Sequence, residues 1–375
     1  SILKINNNPL NLELLNYEKS KDKKLEISLE GYKDKKDQFF FDELFLREEK
    51  NIIKIHGLKL NNRFRFQDFK KINFDYFDKE NKKNFFKFYK KNKQYFLEGS
   101  FLNINNLIEK ILDDNRKKSN SYNLSNKINI NIDEVSLDEE NFLNNLVGYL
   151  SFKNNEITNA SLLGKISENK EFKLTIKKES NNKVTTLFID KAEPIIKRYD
   201  FIKGFEGGKL DFYSTKNNKI SQSKLKIYDF KLKEMPALTK ILTLASLQGI
   251  ADILSGEGIR FDEFEMTFQN NGDLMTITEI YALGPALSIL MEGYVEKDKL
   301  ISLKGTLVPA TTINKFIGSL PILGEILVGK KMGEGVFGVS FKIKGPPKNL
   351  KTSVNPIKTL TPRFITRTLE KIKKD

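Results

Sequence analysis

The stretch KININIDEV, Lys127–Val135, sets Ile128, Ile130 and Ile132 on one side of an extended chain and Asn129, Asn131 and Asp133 on the other. Strict period two marks a β-strand with one dry face and one wet face. The same alternation recurs outward from it. KLISLKGTL, Lys299–Leu307, puts Ile301, Leu303, Gly305 and Leu307 on one face. VFGVSFKIK, Val336–Lys344, groups Phe337, Val339, Phe341 and Ile343 against Gly338, Ser340, Lys342 and Lys344. Similar runs fall at Lys24–Glu30, Asn51–His56, Glu171–Ile176, Lys209–Tyr213, Ile259–Phe268 and Leu274–Ala282, joined by short polar turns. The pattern predicts a mainly β protein, an antiparallel meander of roughly eighteen strands with one apolar face. A sheet that long must curl, pair with a second layer or hold a ligand.

A few helices interrupt the strands. The sequence predicts them from Asn105 to Leu112, at Lys191–Tyr199, at Ala237–Leu254, at Thr311–Val328 and at Pro362–Lys374. The third follows Pro236, a good first-turn residue, and stops at Ser255–Gly256. It is apolar on nearly every side, with Lys240, Gln248 and Asp252 as its few polar points. That predicts a helix covered on more than one face.

The chain has 375 residues, no Cys, no Trp and a single His, His56. This excludes disulfides, thiolate zinc sites and a cysteine nucleophile. No apolar run reaches 18 residues, so no spanning helix is expected. Ser1 is not an initiator residue, and a piece of a longer chain is expected, with any anchor upstream. The formal charge is +15, built mostly from Lys. The last stretch, Lys342–Asp375, is its most basic part. Only 5 of the 22 Gly lie in the first 200 residues. That shift sets an expected boundary near Asp190, between a repetitive β segment, residues 1–190, and a second domain, residues 191–375.

Motifs for chemistry are weak. Gly324–Lys330 has phosphate-loop spacing, but Lys331 stands where Ser or Thr should hold magnesium. Gly333–Gly338 has dinucleotide spacing but opens a strand instead of a helix. Acidic clusters at Asp262, Glu263, Glu265 and at Asp138–Glu140 read as solvated edges. KKNFFKFYKKNKQYF, Lys82–Phe96, interleaves Lys with aromatics, yet scarce Arg argues against nucleic acid. No catalytic residue, metal or cofactor is expected. The tail places Ile365, Leu369 and Ile372 on one face, with Arg363, Phe364, Arg367, Lys371, Lys373 and Lys374 around it. It is a candidate for lying on an anionic membrane surface.

Two blocks carry a family resemblance. They are MPALTKILTLASLQGIADILSGEGIRFDEFE, Met235–Glu265, and the segment from Leu283 to Phe364 with its GTLVP, PILG and SVNP blocks. AEPIIKRYDFIKGFEGGKLDF, Ala192–Phe212, fits just upstream. Together they resemble the C-terminal region of the AsmA family, in particular its YhdP-like members from Gram-negative bacteria. The resemblance covers about the second half of the chain. It implies an inner-membrane anchor upstream, a periplasmic body, and a long curled β-sheet whose apolar interior carries phospholipids toward the outer membrane. Outer-membrane or other envelope proteins are the implied partners. On that reading Ile301, Leu303, Leu307, Phe337, Val339, Phe341 and Ile343 line a groove for acyl chains. The Ala237–Leu254 helix would cap it through Ile241, Leu244, Leu247, Ile250 and Leu254. The alternative is a non-catalytic envelope scaffold built on the same β-body.

Overall fold

The computed structural model describes residues 2–5, 8–35, 38–106, 108, 125–166, 170–198, 204–233, 235–309, 338–347 and 349–357. The predicted helix at Thr311–Val328, the tail at Pro362–Lys374, Phe337 and the two glycine motifs lie outside them. The fold is mainly β, and two compact units, Ser1–Lys178 and Glu179–Asp375, divide it.

The first unit begins with β1 (Ile2–Ile5), which pairs with β4 (Leu25–Lys33). The meander continues through β5 (Phe39–Glu48), β6 (Asn51–Leu60), the short β7 (Phe66–Asp68), β8 (Lys71–Phe77), β9 (Lys83–Lys91) and β10 (Gln94–Asn103). After it come β11 (Lys127–Ser136), β12 (Phe142–Lys153), β13 (Glu156–Ile166) and β14 (Lys170–Glu179). Among the described pairings of these strands, all are antiparallel except that of β10 with β11, which run parallel. A parallel neighbour needs a long return connection, and residues 104–126 supply it. The predicted helix there is a turn at its start, with Ile108 N–H bonded to the Ile104 carbonyl. At its start the Asn103 side-chain oxygen accepts from the Asn105 N–H at 3.0 Å.

Asparagine makes the tight turns. Asn92–Lys93 and Asn154–Asn155 each form a two-residue loop with both φ values between 50° and 64°. Such loops match the twist of the flanking strands and favour Asn, which tolerates the left-handed region.

The second unit is an antiparallel meander throughout. It contains β15 (Asn182–Ile189), β16 (Phe205–Asn217), β17 (Ile220–Leu232), β18 (Ile259–Asn271), β19 (Leu274–Leu283), β20 (Leu287–Glu296), β21 (Leu300–Pro309), β22 (Gly338–Gly345) and β23 (Lys351–Ile357). A short helix α1 (Glu193–Ile196) follows β15, shorter than the predicted Lys191–Tyr199.

The predicted helix at Ala237–Leu254 is two helices, α2 (Pro236–Leu244) and α3 (Gln248–Ser255). The break is a Schellman turn. Ser246 sits at φ 60°, its N–H bonds to the Thr243 carbonyl at 3.0 Å, and Leu247 N–H bonds to the Leu242 carbonyl at 2.8 Å. Those two bonds satisfy carbonyls that a helix end leaves open. Here a serine occupies the position where glycine is usual.

Among the described residues no sheet is closed or strongly curled. The deeply curled trough expected from the resemblance is therefore not what these sheets display. Strong curling requires bulges or kinks repeated from strand to strand. In the first unit they occur at scattered points such as Glu30/Gly31 and Asn144/Val147.

Candidate functional site

The register aligns apolar residues into rows. In the first unit one row runs Leu29, Leu44, Ile55, Ile72, Phe88, Leu97, Ile130, Gly148, Leu162 and Leu174. Each residue is the direct cross-strand partner of the next, over ten strands. A parallel row runs from Ile27 through Leu46, Ile53, Phe74, Phe86, Gly99 and Ile132 to Leu146. Most of the first row is half-buried, and among the described residues no regular helix lies over it. Where glycine interrupts the second row, a neighbour closes the notch. A Cβ at Gly99 would lie 2.5 Å from the Phe86 Cβ.

One end of this face is covered. The hairpin of β2 (Leu10–Leu12) and β3 (Tyr17–Lys19) brings Leu10, Leu12 and Tyr17 against Leu25, Leu46 and Ile53. Tyr17 donates to Glu48 at 2.5 Å, and Tyr76 donates to the Leu15 carbonyl at 2.8 Å. Burial and the Glu48 carboxylate push the Tyr17 phenol well above its usual pKa. The cap is thus held by apolar packing plus two buried hydroxyls with partners.

The second unit repeats this design. Its central row runs Leu187, Phe212, Leu225, Met266, Ile280, Met291, Gly305, Phe341 and Val354. The neighbouring row, nearer the helices, runs Ile189, Leu210, Ile227, Phe264, Ala282, Ile289, Leu307 and Val339. At the same end Phe230 stacks between Phe205 and Phe261, at 5.3 and 5.4 Å, and meets Phe264 edge-on. Three residues with positive φ, Gly207, Gly208 and Asp229, interrupt the regular ladder of β16 and β17 there. A Cβ on Gly208 would come within 3.1 Å of Ile227, Phe205 and Phe230 together. Glycine lets the backbone turn and the aromatic stack close over it.

The helical hairpin covers this end. α2 packs on β23 and α3 on β18. Those strands are five spacings apart, about 24 Å at ~4.8 Å each. Two helices side by side, each 10–12 Å across, cover roughly that width. Beneath the span Leu287, Leu307 and Val339 have no exposure.

The predicted site residues separate accordingly. Ile301 and Leu303 pair with Gly345 and Ile343 and remain part-exposed. Leu307, Val339, Phe341 and Ile343 share their face but are buried, at 0–8% exposure. Ile241 and Leu254 are buried in the hairpin, Leu247 and Ile250 are half-buried, and Leu244 is half-exposed at 50%. Phe337 and the tail residues Arg363, Phe364, Arg367, Lys371, Lys373 and Lys374 lie outside the described residues.

The polar faces hold structural ion pairs. Glu265 is bonded by Lys224 at 2.9 Å and Lys226 at 3.2 Å, so that acidic cluster ties strands together. Asp138 accepts from the Glu140 and Asn141 amides and shapes a turn. In the Lys–aromatic segment, Lys87 pairs with Glu98 and Lys90 with Asp68, both at 2.9 Å. Lysines so engaged are poor phosphate ligands. His56 is paired loosely with Glu43 at 3.6 Å. An open depression of about 580 Å³ lies over β20–β23, lined by Glu292, Lys304, Ser340, Lys342 and Ser353 among others. Its Glu292 and Lys304 pair with each other at 3.0 Å. Among the described residues no group of His, Asp and Glu could hold a metal ion, and no helix is long and apolar enough to cross a membrane. No family model, curated protein or solved structure matches the chain.

Proposed function

We propose that the chain is a lipid-handling segment of the AsmA-like kind, whose apolar sheet faces carry acyl chains between the inner and outer membranes of a cell envelope. One observation carries this reading: the in-register apolar row of the first unit, which spans ten strands and is half-buried on eight of them. Ten strands make a stripe roughly 45 Å long. At about 10 Å wide its footprint is at most on the order of 450 Å², comparable to the largest apolar patch of a typical monomer, which is often functional. Surface of that extent favours an occupant.

An acyl chain suits it physically. A chain of about 16 carbons gains on the order of 12 kcal/mol on leaving water, at ~0.8 per methylene. Escape into water is therefore slow. Movement from one row to the next exchanges like contacts and does not meet that barrier. No bond is made or broken, so no catalytic group is required.

The test is a photo-crosslinking residue placed in cells at Leu303, on the apolar face, and at Lys304, beside it on the polar face. Phospholipid attached at Leu303 and absent at Lys304 is the expected result. Lipid at neither site, or equally at both, would overturn the reading.

A further inference from the structure

The open edge of the first sheet, opposite the β2–β3 cap, is strongly cationic. Arg63 and Arg65 lie in the turn between β6 and β7, Lys70 and Lys71 at the start of β8, and Lys91 and Lys93 around the β9–β10 turn. All six are exposed. Among the described residues none of them has a carboxylate within ion-pair distance. Of the acids at this edge, Asp68 is paired with Lys90 at 2.9 Å, Glu156 with Lys178 at 3.7 Å, and Asp34 accepts from the Gln38 amide at 2.8 Å. The capped edge differs. There Lys82 donates to Ser136 and to the Asp138 carbonyl, and Lys79 pairs with Glu18.

Two aromatics join the cations. Tyr32 is 59% exposed and stacks on Phe40, and Phe64 is 65% exposed and stacks on Phe39 at 4.4 Å. Aromatic rings beside Lys and Arg are the composition of a lipid headgroup zone. The apolar row begins at Ile72 on β8 and Phe88 on β9, one residue inward of Lys71 and about 10 Å inward of Lys91; alternation puts those two lysines on the opposite face, whereas Arg63, Arg65 and Lys93 stand in the turns at the strand ends, where the two faces meet. A lipid with its chain on the row would bring its headgroup to these cations.

We propose that this edge recognises the net-anionic, phosphate-bearing headgroup of a lipid whose acyl chains lie on the adjoining apolar face. The proposal rests on the lipid reading above and adds headgroup selection to it. Each cation engaged favours an anionic over a zwitterionic headgroup by about fivefold at low salt.

The test uses the full chain with vesicles of phosphatidylcholine and of phosphatidylglycerol bearing identical acyl chains, and quantifies lipid recovered on the protein. At least fivefold greater uptake of phosphatidylglycerol is expected, falling as salt rises. A variant carrying Arg63→Gln, Arg65→Gln, Lys91→Gln and Lys93→Gln should lose the preference and keep its phosphatidylcholine uptake. Equal uptake of both lipids overturns headgroup selection and leaves the lipid reading standing. Uptake of neither overturns both. Inorganic phosphate is titrated calorimetrically in parallel. If it binds as tightly as the anionic lipid and is lost in the same variant, the edge is a free-phosphate site and the proposal fails.

Discussion

Two leucines on one strand separate an open apolar face from an ordinary core. Leu307 and Leu303 share the inner face of β21, four residues and about 14 Å apart. Leu307 lies under the helical hairpin with no exposure, whereas Leu303 is part-exposed. Leu307→Ala removes fully buried carbons and leaves a cavity, at a cost of about 3–5 kcal/mol. Leu303→Ala removes carbons already partly in water and leaves no enclosed void. At ~0.8 kcal/mol per methylene, roughly halved, its cost is about 1–1.5 kcal/mol. For a unit of this size a kcal/mol moves Tm by roughly 2–4 °C. Thermal unfolding of the full chain should then show a drop of about 6–20 °C for Leu307→Ala and about 2–6 °C for Leu303→Ala, in the same transition. Equal drops would mean that both residues belong to one dry core and that the face has no open part.

Further outcomes follow from other elements. Ser246→Gly should raise stability by about 1 kcal/mol, because the left-handed turn between α2 and α3 no longer strains a side chain; a lower Tm would refute the Schellman assignment. Gly293→Ala should cost more than about 2 kcal/mol, since its Cβ would lie 2.1 Å from the Ser302 carbonyl oxygen at φ 151°. Denaturant midpoints would measure it, and an unchanged midpoint would show that β20 has another path. The Lys87 hydrogen bond, opposed by partial burial and aided by Tyr89, holds Glu98 below its ordinary pKa of 4.5. A depressed carboxylate stabilises the fold above its unfolded pKa, and this is lost as pH falls through the folded value. Urea midpoints should therefore separate the native chain from Glu98→Gln at pH 7, and the gap should narrow as pH falls below 4.5; a gap that does not narrow with acidification would refute the linkage.

The strands were legible wherever one face is dry. Ile128, Ile130 and Ile132 meet Leu150, Gly148 and Leu146 because period two admits only one inward set. The pairing of Leu303 with Ile343 follows from the same rule. What covers a face leaves no trace in that alternation. Leu307 and Leu303 read identically in sequence, and only the position of α2 and α3 separates them. The hairpin break was hidden because Ser246 gives no glycine signal. The parallel pairing of β10 with β11 was hidden because strand direction depends on where a long connection returns. The basic edge escaped notice because its members are scattered from Arg63 to Lys93 and only the register brings them together.

The one parallel junction has a kinetic consequence. Most antiparallel pairs of the first unit close through a loop of a few residues, so their two strands can zip from their own turn within microseconds. The β10–β11 pair shares no such turn and must close the whole 104–126 connection first, with the larger entropy loss that a longer loop carries. Assembly of the first unit therefore waits on that seam, after the hairpins on either side have formed. Amide hydrogens bridging Tyr95–Asn103 to Ile128–Ser136 should be the last of the sheet's interior bonds to gain protection during refolding.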